Sequence, residues 1–224
     1  MDWTALRLSV SLGLWTLAIL LPVAVWLGRT LALRRFPGRS VVEAAVALPL
    51  VLPPTVIGFY LLLAFGNRSP LGQGWEALFG HGLAFSFEGL LLASVLVNLP
   101  FAVQPVQNGF ATVPPGLREA GAVSGMPPWR VLLRVELPLA WPGIATAAVL
   151  AFAHTLGEFG VVLMVGGSIP GETRTVAIAI YDRVQAFDEG AAGAMSAVLL
   201  AVSIAALGLT GALSRRVGRR KRDA

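Results

Sequence analysis

The sequence predicts an all-α integral membrane protein with about five transmembrane helices in a single transmembrane domain, residues 1–224. Of its 224 residues, 56% are hydrophobic and only 13% are charged, whereas soluble domains usually carry about 25% charged residues. Apolar stretches of about 20 residues, the length needed to cross a bilayer, recur along the chain. The segments between them are too short for a separate soluble domain.

Continuous apolar runs locate each predicted span in turn. The spans lie near residues 8–28, 41–65, 88–110, 141–165 and 191–213. Because their number is odd, the two termini are expected on opposite sides of the membrane. The one long connection, residues 111–140, joins the third span to the fourth.

The distribution of arginine predicts the orientation. Most of the 17 basic residues follow the first span, follow the third span or form the C-terminal tail. They are Arg29, Arg34, Arg35, Arg39, Arg118, Arg130, Arg134, Arg215, Arg216, Arg219, Arg220, Lys221 and Arg222. Since basic loops stay in the cytoplasm, the N-terminus is predicted outside and the C-terminus inside. This pattern explains the net charge of +5 without a nucleic-acid partner. The arginines follow the first apolar run, so we expect an uncleaved anchor rather than a signal peptide.

The second span contains a dense proline run, Leu-Pro-Leu-Val-Leu-Pro-Pro-Thr at residues 48–55. Each proline removes a backbone donor and tends to kink its helix, which lipid tolerates only where other groups satisfy the backbone. We interpret the run as a broken helix that lines a pathway, with Pro53, Pro54 and Thr55 as candidate pathway residues. The alternative is the general enrichment of proline in membrane helices.

The fourth span carries an acidic residue, Glu158, with His154 and Thr155 one turn earlier on the same helical face. An acidic group at the bilayer centre costs about 2.5–3.5 kcal/mol, so it is expected to face a cavity, a partner or a polar neighbour. These three residues are candidate gate or pathway residues. A role in helix packing is the alternative.

The cytoplasmic connection, residues 111–140, is predicted to form two short helices. In the first, small or apolar residues share one face that another protein could approach closely. That face consists of Leu117, Ala120, Gly121 and Ser124. Gly125 is placed to end this helix, Pro128 to begin the second and Pro138 to terminate it.

Glu119-Ala120-Gly121, Gly125 and Val135-Glu136-Leu137-Pro138 have a spacing that resembles the EAA loop of ABC importer permeases, E-A-A-x3-G-x9-I-x-L-P. Gly121 replaces an alanine of that pattern, and Val135 replaces an isoleucine. In that family the loop forms a coupling helix that seats in a groove of the cytoplasmic ATPase. The resemblance implies a type I ABC importer permease fold and an ATPase-coupling role for Glu119, Ala120, Gly121, Gly125, Leu137 and Pro138.

A second resemblance concerns the substrate. The motif Gly-Glu-Phe-Gly at 157–160 and the continuation Gly-Glu-Thr-Arg-Thr at 171–175 resemble permeases for molybdate, and related sulfate permeases share the first motif. The resemblance implies a homodimer in the inner, cytoplasmic membrane that carries two ABC ATPase subunits. It also implies delivery of substrate by an extracytoplasmic molybdate-binding protein. Sulfate and tungstate are the alternative substrates.

Catalysis by this chain itself is not expected. A P-loop requires a lysine within its motif, and the only lysine is Lys221 near the chain end, so ATP and Mg²⁺ would be used by the partner ATPase. With two histidines and no cysteine, neither a metal site nor a cofactor is predicted. A proton-coupled secondary transporter using Glu158 and His154 is a further alternative, although five spans do not divide into two equal repeats. A membrane enzyme is the least favoured class.

Overall fold

The computed structural model describes residues 2–220, and within that range every regular element is helical. The helices are α1 (Trp3–Leu33), α2 (Arg39–Val51), α3 (Pro54–Phe65), α4 (Pro70–Phe79), α5 (Phe87–Ala111), α6 (Pro115–Val123), α7 (Pro128–Val131), α8 (Leu137–Gly157), α9 (Gly160–Gly166), α10 (Val176–Gln185) and α11 (Glu189–Arg220). Lys221 and Arg222 of the predicted cytoplasmic tail lie outside the described residues.

Among the described residues, three helices are long and apolar enough to cross a membrane, Trp3–Leu33, Phe87–Ala111 and Pro128–Gly157. A bent pair, α2 with α3, brings the number to four if the pair counts as one span. In α11 the apolar part is Glu189–Ala205, which is shorter than these spans. The prediction of an all-helical membrane protein is therefore confirmed, and the fifth span and the orientation stay predictions.

The second span is broken where the proline run predicts. Helix α2 ends at Val51, Leu52 and Pro53 are extended, and Pro54 opens α3 as its first residue. A residue before proline is pushed away from helical geometry, and this applies to both Leu52 and Pro53. The chain direction bends by 111° from α2 to α3. Residues 41–65 therefore form a broken span or a re-entrant loop rather than one straight helix.

The fourth span differs from the prediction at both ends. The helix does not stop at Pro138 but runs from Pro128 to Gly157, through a π-helical turn at Leu132–Glu136. In that turn the Leu137 N–H donates to the Leu132 carbonyl, five residues earlier instead of four. Pro138, which has no N–H to donate, therefore lies where the helix returns from π-helical to α-helical hydrogen bonding. The predicted span 141–165 is also interrupted, because the helix ends at Gly157 and α9 begins at Gly160.

The core lies where α1, α5 and α8 pack together, around Leu20, Ala24, Ala102, Val106 and Ala147, all fully buried. Glycines allow the backbones to approach closely, as is common between membrane helices. A Cβ at Gly143 of α8 would lie 2.4 Å from the Pro105 carbonyl oxygen of α5, and one at Gly28 of α1 would lie 3.0 Å from the Gln107 nitrogen.

The N-terminus is fastened to the loop before α10. The Asp2 carboxylate caps α1 by accepting the Ala5 N–H at 3.0 Å, and the Arg174 guanidinium donates to it at 2.6 Å. These contacts, the Ala5 N–H first, lower the pKa of Asp2 below its ordinary value. The carboxylate therefore stays charged at neutral pH and holds the start of α1 in place.

Candidate functional sites in the coupling segment and between the spans

Helix α6 ends in a glycine motif. Gly125 has a φ of +77°, the left-handed conformation that favours glycine. The Met126 N–H donates to the Gly121 carbonyl at 3.1 Å, and the Gly125 N–H donates to the Ala122 carbonyl at 3.0 Å. This pair of hydrogen bonds is the Schellman motif, which satisfies carbonyls at the helix end. The prediction that Gly125 terminates this helix is confirmed.

The outer face of α6 is exposed and made mainly of small or apolar side chains. Glu119, Ala120 and Ser124 are exposed, Leu117 is 47% exposed and Val123 is 90% exposed. A helix face of this kind, with no described part of the chain packed on it, is suited to contact another protein. The small-residue surface predicted for α6 is therefore present at Ala120 and Ser124.

Gly121 is the neighbour of Ala120 on α6 but is buried. A Cβ at Gly121 would lie 3.3 Å from a methyl carbon of Val131, in the long helix that follows. The expectation that Gly121 forms part of the outer surface is wrong. Its lack of a side chain lets α6 pack closely against Val131, at the start of the long helix.

Leu137 and Pro138 lie inside the long helix, just after the π turn, with Leu137 half-buried and Pro138 exposed. Between them and Val135 stands Glu136, which is 2% exposed. The Arg29 guanidinium of α1 forms a bidentate ion pair with the Glu136 carboxylate: Nε donates to Oε2, and Nη2 donates to Oε1 at 3.1 Å. Sequence reasoning assigned Arg29 only a topological role and passed over Glu136. The signal available was an acidic residue set among apolar ones, since a buried charge requires a partner.

The two helix breaks meet. A Cβ at Gly160, the first residue of α9, would lie 2.7 Å from the Pro54 Cβ, the first residue of α3. Farther along, a Cβ at Gly58 would lie 2.6 Å from the Met164 Cβ, so α3 and α9 pack closely. Pro53, Pro54 and Thr55 are all exposed within the described chain. The breaks of the second and fourth spans are therefore in contact at Pro54 and Gly160.

Glu158 occupies the second break and caps α9. Its Oε1 accepts the Val161 N–H at 3.0 Å, and the residue is 9% exposed. A carboxylate at a helix N-terminus satisfies a free backbone donor and is stabilised by the helix dipole. The acidic group predicted within the fourth span thus has a structural partner at the start of α9.

His154, Thr155 and Glu158 belong to one polar cluster, which also contains Asn98 of α5; Asn98, Thr155 and Glu158 are buried, and the His154 side chain is 29% exposed. The Asn98 amide donates to the Thr155 hydroxyl at 3.0 Å and to the Ser94 carbonyl, and its oxygen lies 3.2 Å from His154 Nδ1. Because an amide oxygen can only accept, the imidazole donates from Nδ1. His154 Nε2 lies 3.6 Å from Glu158 Oε2.

Phe101 completes this polar cluster by stacking on the His154 ring, with the ring centroids 4.1 Å apart. The cluster joins α5 to the end of α8 and to the break before α9. Asn98 was missed by sequence reasoning because its partners lie more than 50 residues away. The sequence feature that could have revealed it is a single polar amide side chain within an apolar stretch, Val-Leu-Val-Asn-Leu-Pro.

Replacing Asn98 with leucine is expected to lower the free energy of unfolding by about 1–3 kcal/mol, because Thr155 and His154 would lose a buried partner. Thermal unfolding of the purified protein in detergent measures this. Asn108→Leu is the matched control, since Asn108 lies on the same helix and is exposed. Equal loss of stability in both variants would contradict the role assigned to Asn98.

Within residues 2–220 no group of three or more histidine and acidic side chains is placed to hold a metal ion.

Comparison with known proteins assigns the family. A family model described as "Binding-protein-dependent transport system inner membrane component" matches residues 21–219. The molybdenum transport system permease protein ModB of Azotobacter vinelandii is 48% identical over 191 residues, which are 84% of this chain and 83% of that protein. ModB of Escherichia coli K12 is 35% identical, over 93% of this chain and 90% of its own length. The sulfate transport system permease protein CysT of the same organism is 34% identical, over 83% and 67%.

Solved structures support the same fold. The chain superposes on a bacterial alginate ABC transporter in complex with an alginate pentasaccharide-bound periplasmic protein, with a TM-score of 0.73 and 17% identity, over 96% of this chain and 78% of that chain. The inward-facing MetNI methionine ABC transporter gives a TM-score of 0.68 and 19% identity, over 96% and 94%. The protein belongs to the family of binding-protein-dependent transport system inner membrane components.

Proposed function

We propose that this chain is the permease subunit of an ATP-driven ABC importer for molybdate. The observation that carries the proposal is the combination of an exposed, glycine-terminated α6 with 48% identity to a molybdenum transport permease over most of both chains. The chain forms the pathway through the membrane and has no catalytic residue. ATP and Mg²⁺ are used by a separate ATPase.

Helix α6 is the element that docks on this ATPase. Ala120, Leu117 and Val123 supply the exposed contact surface, and Glu119 lies beside them. Gly121 and Gly125 act from within the chain: the first brings α6 close to Val131, and the second ends the helix. Leu137 and Pro138 then belong to the span that receives the movement.

The assembly consists of two copies of this chain, two ABC ATPase subunits and an extracytoplasmic binding protein. The N-terminus lies outside and the C-terminus in the cytoplasm, since arginines are concentrated on one predicted side. Residues 191–213 form the fifth span of a multi-pass protein of the cytoplasmic membrane. The pathway runs past the two helix breaks, where Pro54 meets Gly160 and where Glu158 and His154 lie.

Sulfate is the second candidate substrate, because a sulfate permease is 34% identical to this chain. Molybdate is favoured by the greater identity, 48%, to the molybdenum permease. Molybdate, tungstate and sulfate are all tetrahedral dianions, so the binding protein is expected to make the finer selection.

The test is ATP hydrolysis by the complete complex in proteoliposomes. We expect hydrolysis to rise when binding protein loaded with molybdate is added, and molybdate to accumulate inside. A larger response to sulfate would assign the chain to the sulfate branch. Uptake by this chain alone, driven by a proton gradient, would replace the proposal with a secondary transporter.

A further inference from the structure

We infer that Arg29 and Glu136 are positioning residues that link the coupling segment to the first span, so that movement of α6 also reaches α1. The inference rests on the proposed function, since it assigns a route to the movement that an ATPase would impose. Arg29 lies outside the EAA-like pattern, Glu136 occupies a position that the pattern leaves open, and the two lie 107 positions apart in the chain.

The contact between them is directional and largely shielded from water. The Glu136 side chain is 3% exposed and that of Arg29 is 29% exposed, and two parallel hydrogen bonds join them. A bidentate arginine–carboxylate pair fixes orientation as well as distance.

The π turn sets the direction of the Glu136 side chain. Glu136 is the last residue of the turn Leu132–Glu136, and a π turn holds one residue more than an α-helical turn. Because each residue of an α-helix turns by about 100°, the extra residue offsets the side chains before the π turn by about 100° from the positions that an unbroken α-helix would give them. The turn thus allows Glu136 to face α1 while Leu137 and Pro138 continue the span.

The contacts form a continuous route. Gly121 of α6 packs on Val131 at the start of the long helix, and Glu136 lies five residues later. From Glu136 the ion pair leads to Arg29, next to Gly28, where α1 touches the backbone of α5 at Gln107. Movement of α6 therefore has a path to α1 and α5 as well as to α8.

Stability alone would not test this role, because removing one partner leaves a buried charge unpaired. The experiment therefore opens and closes the link within one folded protein. The chain has no cysteine, so Arg29→Cys with Glu136→Cys supplies two unique thiols. A short bis-methanethiosulfonate linker joins them across the space left by the two long side chains, and a reductant removes it.

In the reconstituted complex, stimulation of ATP hydrolysis by molybdate-loaded binding protein is expected to fall at least about fivefold when the link is open and to recover when it is closed, a size typical of coupling between sites. Basal hydrolysis is expected to persist in both states. Equal stimulation in the two states overturns the inference. A wild-type complex that shows no stimulation refutes the proposed function instead.

A charge-swapped variant provides the second test, for use if the cysteine pair fails to assemble. Arg29→Glu with Glu136→Arg keeps an ion pair in place, so stimulation is expected to exceed that of Arg29→Gln alone. Arg39→Gln is the control, because it breaks a partly exposed ion pair between two residues of α2. Stimulation that is equally low in the swap and in Arg29→Gln overturns the inference, as does an equal loss in the control.

Discussion

Replacing Gly143 with alanine is expected to prevent or strongly impair folding of the transmembrane domain. A Cβ at this position would lie 2.4 Å from the Pro105 carbonyl oxygen and 2.9 Å from the Gly109 Cα, and both are backbone atoms. Alanine normally stabilises a helix interior by about 1 kcal/mol relative to glycine. Here the clash outweighs that gain, because α5 and α8 would have to move apart along the core, and overpacking costs about 1–3 kcal/mol or more.

The measurement is thermal unfolding and the yield of monodisperse protein in detergent. Gly193→Ala is the matched control, since a Cβ at Gly193 of α11 meets nothing within 4 Å. We expect the control to be as stable as the wild type or slightly more stable. If Gly143→Ala behaved like the control, the close crossing of α5 and α8 would be wrong.

Replacing Ala120 with arginine is expected to weaken binding of the ATPase at least about 30-fold while leaving the permease folded. Ala120 is exposed on α6, so a large charged side chain meets no described part of its own chain. At the centre of an interface between α6 and the ATPase, the arginine side chain would hold the two surfaces apart and would bury a charge away from water. Substitutions at such positions cost about 2 kcal/mol or more, which weakens binding about 30-fold.

Affinity capture of the purified ATPase by the detergent-solubilised permease measures this effect. Gln185→Arg serves as control, because Gln185 is exposed on α10, on the predicted outer side. An Ala120→Arg permease that still binds the ATPase and transports substrate would show that α6 is not the docking element.

The features that could be predicted from sequence are those encoded by neighbouring residues. The break after Leu52 follows from two consecutive prolines, and the end of α6 follows from Gly125. The break at Glu158 has a weaker local mark, because Gly157-Glu158-Phe159-Gly160 stands within an apolar run without proline. The helix ends where the Glu158 carboxylate caps α9 by accepting the Val161 N–H three residues later, and the prediction of a continuous span 141–165 overlooked the two flanking glycines.

The errors have a related cause. Proline usually ends a helix, but Pro138 follows a π turn, where the hydrogen-bonding pattern changes and the missing N–H is tolerated, so the helix continues. Helical periodicity placed Gly121 on the same face as Ala120, and it could not reveal that Val131 covers Gly121. Asn98 and Glu136 escaped notice because their partners are distant in sequence, and only the packing of the spans brings them together.

The most direct test of the account is a crosslink from α6. Val123 on α6 is 90% exposed. Since the chain lacks cysteine, a Val123→Cys variant carries a photoactivatable maleimide label at that position alone. In the assembled, transporting complex we predict a crosslink to the ATPase and protection from membrane-impermeant reagents added outside intact cells. Labelling of Val123→Cys from outside, or a transporting complex that gives no crosslink, would contradict the account.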